Sequence, residues 1–584
     1  NGAPIAKNHP KPSSHVFRVK APALGPDEQV CLLGEPTELA AWDTKSPILL
    51  EKSGNWWTVS VELAHAGFPL AYKYGVWDFS KKQFVRWESG DNRLLFGQSD
   101  PNLRTYVHDG FARFGPSFWR GAGVAIPVFS LRSEQSFGCG EFTDLPKLAD
   151  WAKKIGLRVI QLLPINDTSA TGTWTDSYPY AAVSAFALHP IYLDIFEVAG
   201  KAEAELVKPF LKKQKALNSG QNVDYEAVMS EKRAAVELLF AKKKEAFLAE
   251  KGWLDFFEKN KEWLQPYAAF TFLKEKNGTA DFSKWKTNAI FSKTAIEKLT
   301  EPGSKDFDKI ALHYFTQYQL HRQLSAATEY CHAQGLMVKG DIPIGIYRYS
   351  CDAWVAPELY NMDAQAGAPP DDFAAKGQNW GFPTYDWERM KSDGFAWWRA
   401  RFEQMSAYFD AFRIDHILGF FRIWAIPLDA VEGILGRFVP CLPVAEREFA
   451  LHEIPFDRER FCAPYITDAV LGEIFPDHAG RDLVKIQCLE PGSHGRFRLK
   501  KEFSTQRLVE AFFEKQAMTE QAAAMKKGIF DLLTNVILFE RKDGTGFDFR
   551  YGIDKISSFL HLPKQVQGRL HALYVNYFYR RQDD

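Results

Sequence analysis

Hydrophobic and polar positions along the chain fall into three patterns. From residue 15 to 108 short runs alternate, among them "HVFRV", "QVCLLG", "WWTVSVEL" and "LAYKYGVWD", with Gly, Pro and Asp turns about every ten residues. This is the pattern of an antiparallel β-sandwich. One tryptophan of the Trp56-Trp57 pair must face inward on such a strand. The preceding stretch 1–14, "NGAPIAKNHPKPSS", is rich in Pro, Asn and Lys and is expected to be a linker.

After Tyr106 the pattern changes to apolar runs separated by longer helical stretches. "GVAIPVFSL", "RVIQLLPI", "GLMVKGDIPI" and "FDAFRIDHI" are strand-like, and "LPKLADWAKKIG" is helical. Strands alternating with helices predict a parallel sheet covered on both faces, most simply a TIM-type β/α barrel over residues 109–428. A mostly helical insertion is expected at about 202–330, its lysine runs forming solvated faces. From 429 to 584 the pattern is mixed α/β, and no spacing there carries chemistry. The fold class expected is therefore multidomain, a β-sandwich followed by an α/β barrel with helical insertions.

Composition narrows the function. A formal net charge of -1 over 584 residues offers no field for nucleic acid or an acidic membrane surface. Aromatics reach 15% with 17 tryptophans, more than core packing needs, which suits a protein that stacks rings on neutral sugars. Seven cysteines without CxxC or regular spacing indicate neither a disulfide framework nor zinc, so reduced thiols in a cytoplasmic protein are the expectation. No apolar run approaches the roughly 18 residues of a membrane span.

Two constellations carry candidate chemistry. On the sandwich, Trp42 in "AAWDTK", Lys73 in "AYKYG" and Trp87, Glu88 and Asn92 in "RWESGDNR" combine flat rings with hydrogen-bonding groups. An indole face can stack on a glucose ring while lysine, carboxylate and amide bind its hydroxyls. On the barrel, Arg413 and Asp415 lie two apart on one face of a strand, where the guanidinium can keep the carboxylate ionised. An ionised carboxylate at the C-terminal end of a barrel strand is what a glycosidic nucleophile must be. Asp341 in "KGDIPIG" ends the neighbouring apolar strand.

Both regions resemble known families. The order Trp42, Lys73, Trp87, Glu88, Asn92 over about ninety residues resembles the family 20 starch-binding modules, in which these positions form one glucan site. The motifs "GVAIPVFSLRSEQSFGCGEFTDLPKLADWAKKIGLRVIQLLPIND", "DSYPYAAVSAFALHPIYLDI", "KGDIPIG", "GAPPDDFAAKGQNWGFPTYDW" and "WWRARFEQMSAYFDAFRIDHILGFFRIW" occur in order through residues 121–427. They resemble glycoside hydrolase family 77, the 4-α-glucanotransferases, and the module in front narrows the likeness to the plant-cytosolic type. The resemblance implies Asp415 as nucleophile with Arg413 as its partner, Asp341 and Tyr180 near the sugar at the cleavage point, and Trp380 on a loop over the acceptor side. It leaves His416 open between sugar contact and strand-end packing.

A retaining transfer between α-1,4-glucans such as maltose, maltodextrin, starch or glycogen is implied, with no metal or cofactor. The family's acid/base glutamate motif "EDLG" and a later "HD"-like motif are not in this sequence. Glu473 in "VLGEIFPD" and Glu490 in "QCLEPG" are set aside, since neither ends an apolar strand. Only about four of the eight strands of a closed barrel are expected here, as part of a longer protein, with 429–584 an inserted segment before the missing half. The chain alone is expected to be inactive for want of the acid. Two other readings stand beside this one: a glucan-binding protein with an incomplete catalytic domain, and an α-amylase-like hydrolase, against which "GDIPIG" argues.

Overall fold

The structure, a computed structural model, describes residues 13–22, 24–25, 27–97, 103–114 and 121–582. Of the expected linker, residues 1–12 lie outside the described residues.

The N-terminal unit is two facing sheets. One holds the strands Glu51–Ser53, Trp56–Val61, His15–Lys20 and Thr105–Phe111 in that spatial order. The other is built from Ile48–Leu49, Glu28–Gly34, Leu70–Asp78 and Gln83–Trp87, with Arg93–Leu95 paired to Leu70–Asp78. Alternation sends Phe17, Val19, Val30, Leu32, Trp57, Tyr72 and Tyr74 into the shared core. The sandwich departs from the all-antiparallel expectation in one pairing. His15–Lys20 and Thr105–Phe111 run parallel, with His15 opposite Thr105, because the first and last strands of the unit meet side by side while pointing the same way.

The second unit carries a four-stranded parallel sheet in the order Gly123–Ile126, Val159–Leu162, Met337–Ile342 and Ala411–Ile414. Ile160, Leu162, Val338 and Ile342 are buried, as expected where helices cover the sheet. Gly340 is needed for close packing, since a Cβ there would lie 2.3 Å from the Phe409 ring. The helices Tyr225–Ala249, Lys251–Asn277 and Phe307–Ala333 dominate the region between the second and third strands.

The sandwich docks at the base of the last parallel strand. Lys20 Nζ lies 3.6 Å from the Asp410 carboxylate, which also accepts from Val338 N at 2.9 Å and pairs with His332 Nε2 at 2.6 Å. Burial holds the Lys20 amine below its ordinary pKa, with Asp410 opposing the shift.

Residues beyond 429 form short helices and hairpins around two cores of their own, one centred on Ile466, Leu471, Val509 and Ile529, the other on Phe449, Phe461, Phe549 and Leu570. Among the described residues, no helix is long and apolar enough to cross a membrane.

Candidate active site

The parallel register sets Asp341 directly opposite Arg413 on adjacent strands. Both point to the same face at the C-terminal end of the sheet, and Asp415 follows two residues later. Arg413 Nη1 donates to Asp341 Oδ1 and Oδ2 at 2.8 and 2.7 Å, while Nη2 donates to Asp415 Oδ1 at 2.7 Å. One guanidinium thus bridges two carboxylates.

The two acids differ in access. The Asp341 side chain has no exposed surface, whereas that of Asp415 is 25% exposed. Tyr180 Oη donates to Asp341 Oδ2 at 3.0 Å, so both Asp341 oxygens are engaged. Asp415 Oδ2 accepts no hydrogen bond among the described residues. Burial raises the Asp341 pKa above the ordinary carboxylate value, with the Arg413 and Tyr180 bonds opposing the shift. Burial also pushes the Tyr180 hydroxyl up to about 12, assisted by the Asp341 charge. Burial works against the Arg413 charge, yet its bonds to Asp341 hold its pKa above the ordinary value. Arg413 is therefore the fixed cation of the group.

Aromatic groups roof the site. His416 sits in the left-handed region at φ 47°, turning the chain sharply after Asp415. Its ring meets Trp380 edge-on at a centroid distance of 4.9 Å, and Trp380 stacks on Phe382 at 5.7 Å. Burial lowers the His416 pKa, with the Asp415 charge opposing, which favours the neutral ring. Tyr178, not singled out from the sequence, belongs here too. Its ring lies 5.7 Å from Tyr180, and its hydroxyl pKa is raised by burial and then by the Asp415 charge. The i, i+2 spacing with Tyr180 in "DSYPY" was the available signal.

The loop that carries Trp380 is tied to the C-terminal unit. Lys376 Nζ meets Asp531 Oδ1 at 2.5 Å, and Asn379 Nδ2 donates to Val431 O at 3.1 Å. Gly433 packs so closely that a Cβ would fall 2.6 Å from Gln378 N, and Gln378 Oε1 accepts from Trp380 Nε1 at 3.0 Å. The late segment therefore touches the roof of the site through its loop.

Glu473 and Glu490 belong to the C-terminal unit's own framework. Glu473 lies on the helix Asp468–Ile474 and pairs with Ser557 and, at 3.2 Å, with His561. Glu490 stands exposed in the hairpin opposite Arg498.

On the sandwich, Trp42 and Trp87 meet edge-to-face at 5.8 Å, both half-buried. Ala40, Ala41 and Trp42 are all left-handed, at φ 63°, 45° and 64°. Three such residues in sequence cost about 1 kcal/mol or more each, strain of the kind that collects at ligand sites. Lys73 Nζ donates to Gly90 O at 2.5 Å and so meets the loop that bears exposed Asn92. Glu88 departs from the expected role. Its side chain has no exposed surface and accepts from Arg93 Nε and Nη2 at 2.8 Å each, from Tyr74 N at 3.1 Å and from Arg113 N at 3.2 Å. With its oxygens turned inward and filled, Glu88 braces the loop and offers nothing to a ligand.

Among the described residues no group of three or more His, Cys, Asp or Glu side chains could hold a metal ion.

Comparison with known proteins defines the class. Residues 126–537 match the 4-alpha-glucanotransferase family of glycoside hydrolase 77, and residues 14–103 match the starch binding domain. The chain belongs to that glucanotransferase family and carries a starch-binding domain in front of it. Among individual proteins, it is 38% identical over 577 residues to the 4-alpha-glucanotransferase DPE2 of Oryza sativa subsp. japonica, covering 97% of this chain and 60% of that protein. It is 31% identical over 319 residues to the 4-alpha-glucanotransferase of Chlamydia muridarum, covering 54% of this chain and 58% of that protein. The amylomaltase from Streptococcus agalactiae in complex with acarbose aligns with 80% of this chain and 100% of its own, at 21% identity and a TM-score of 0.47. The chain spans about three fifths of the length of the curated relatives it matches.

Proposed function

We propose that this protein is a 4-α-glucanotransferase that moves glucosyl or glucanyl units between α-1,4-glucans by a retaining double displacement. The observation that carries the reading is the Arg413 bridge, which leaves Asp341 buried and engaged while Asp415 keeps one oxygen free and faces the opening. Asp415 Oδ2 attacks the anomeric carbon, the glycosidic bond breaks as an acid protonates the departing oxygen, and a covalent glycosyl-enzyme forms. The 4-hydroxyl of an acceptor sugar then displaces Asp415, giving its proton to the same acid, now a base. Tyr180 lies beside the sugar at the cleavage point, and Asp341, buried behind it, acts by fixing Tyr180 and Arg413 in place. Trp380, with His416 against it, supplies an aromatic wall that favours sugar over water as acceptor. The chemistry calls for no metal or organic cofactor.

On the same reading the four parallel strands are one side of a β/α barrel, residues 15–108 are the glucan-anchoring module, and 429–584 is an inserted segment. Exposure of Ile414 at 38%, within a strand type normally covered on both faces, supports an incomplete barrel wall. Trp42, Trp87, Lys73 and Asn92 are the module's glucan contacts. Seven free cysteines support a reducing, cytoplasmic setting; an oxidised pair in protein taken from cells would count against it.

No glutamate among the described residues hydrogen-bonds or ion-pairs with the Arg413 group. This favours a second reading of residues 1–584 alone, as a unit that binds glucan without turning it over. The test is maltotriose disproportionation by the protein isolated from its source cells, by its Asp415→Asn variant, and by residues 1–584. Glucose and longer dextrins from the isolated protein, lost in the variant, are expected. Glucan binding without product from the isolated protein would replace the transferase by the binding reading.

A further inference from the structure

On the C-terminal unit a cavity of about 210 Å³ opens between the helix Arg458–Cys462, the loop 463–465 and the hairpin formed by Leu489–Pro491 and Phe497–Leu499. Three arginines, Arg460, Arg496 and Arg498, line it together with Glu459, Tyr465 and Phe497.

The three cations are compensated unequally. Arg498 is answered by Glu459 at 2.8 Å, and that carboxylate also accepts from Ser493 Oγ at 2.8 and 2.9 Å. Arg460, 9% exposed, is held by neutral groups: Nη1 donates to Ser558 Oγ at 2.8 Å, Nη2 donates to Ser558 O at 2.5 Å, and its guanidinium lies 3.7 Å over the Tyr465 ring. Arg496, 20% exposed, has its nearest acid, Asp457, at 3.9 Å, too far for a hydrogen bond. Burial first, with a smaller part from the Arg496 charge, holds the Arg460 pKa below its ordinary value, while Tyr465 and Asp457 oppose the shift. Both guanidinium groups line this one cavity and neither is hydrogen-bonded to an acid among the described residues, and two such charges are costly to bury unless an anion answers them.

We propose that this cavity binds a phosphate group, with Arg496 and Arg460 as its cationic receptors. The planar guanidinium fork matches phosphate oxygens in pairs, and the nearly double charge of a phosphomonoester answers two cations where a carboxylate answers one. A water needs only about 10–15 Å³ of such space, so the cavity holds far more than one oxyanion. Phe497, Leu499 and Leu533 supply an apolar floor beside the arginines. A phosphate carried on a small sugar-sized body therefore fits better than the free ion. The cavity shares no lining residue with the Arg413 bridge, and the proposal does not rest on the transferase reading.

Isothermal titration of the purified chain with glucose 6-phosphate, inorganic phosphate and glucose tests the proposal. Glucose 6-phosphate is expected to bind below about 1 mM. Arg496→Gln should weaken that binding by about tenfold or more, and Arg496→Lys, which keeps charge without the fork, by less. Free phosphate binding as tightly as the ester would assign the site to the ion; a clear preference for the ester would assign it to a phosphorylated sugar. Circular dichroism of both variants checks their fold. Absence of binding by either phosphate compound up to about 10 mM, or binding that neither variant changes, overturns the proposal.

Discussion

The two sites proposed to take sugar are built on opposite plans. On the sandwich, Trp42 and Trp87 are half-buried rings on a strained turn and a strand end, and the carboxylate among the candidates, Glu88, is turned inward to brace the loop. On the parallel sheet Asp415 and Arg413 are partly exposed with Asp341 buried behind them, and the aromatics Trp380 and Tyr180 lie around the group. On the proposed function, the difference separates holding a neutral ring from breaking its bond. Stacking needs flat surface and tolerates imprecision, so loops suffice. A nucleophile must be ionised and fixed, so it comes from a strand end with its counter-ion on the same strand.

The sharpest way to break this contrast is Asp415→Asn in the isolated protein. It should lower maltotriose turnover by roughly 10⁴-fold or more while leaving glucan affinity of the sandwich unchanged. Equal losses in both assays would mean that the two sites are not separable.

Next in size is a pH effect at the helix Phe307–Ala333, which precedes the third parallel strand. His321 is half-buried, its Nδ1 within 2.9 Å of Tyr408 Oη and its ring stacked on Phe256, and desolvation by this packing followed by the Lys259 charge lowers its pKa to about 4. A depressed histidine pKa means the unfolded chain binds the proton more readily. Its stabilising contribution is therefore complete above the unfolded value near 6.5 and is lost as pH falls toward 4. The loss amounts to at most about 3 kcal/mol. Urea midpoints measured at pH 7 and pH 5 should differ less in His321→Gln than in the parent, and equal differences would remove His321 as the cause.

Trp42→Ala and Trp87→Ala should each weaken β-cyclodextrin or maltoheptaose binding by about 5- to 30-fold, the value of a lost aromatic platform. Glu88→Gln should instead lower the melting temperature of the sandwich. If it reduced affinity with no change in stability, Glu88 would be a ligand after all.

The smallest effect is expected at the loop over the active site. Asp531→Ala removes the Lys376 partner, both side chains being about one third exposed, and a screened pair of this kind contributes under about 1 kcal/mol. A few-fold rise in the acceptor KM with kcat nearly unchanged would fit a loosened Trp380 loop. A fall in kcat alone would place the segment's influence elsewhere.

The sequence by itself determined a good deal. Alternation over 15–108 and the long apolar runs after Tyr106 carry the two kinds of sheet, because burial on one face and burial on both leave different periods. The i, i+2 spacing of Arg413 and Asp415 puts them on one face wherever the strand lies. Likewise Trp57 is buried and Trp56 is not, as a strand must arrange a neighbouring pair.

Only the tertiary structure decided the rest. That Arg413 gives two bonds to Asp341 and one to Asp415 depends on the register between strands separated by 68 residues of chain (342 to 411), including the turn and helices between them. Glu88 looks like a ligand in "RWESGDNR", yet Arg93 at the end of that stretch turns back onto it, and Tyr74 and Arg113 close over it from neighbouring parts of the chain. The cation pair of Arg460 and Arg496 carries no motif, since a helix and a hairpin some thirty-six residues apart create it. Local periodicity fixes which way a side chain points; what it meets there is set by long-range packing, which no short stretch of sequence contains.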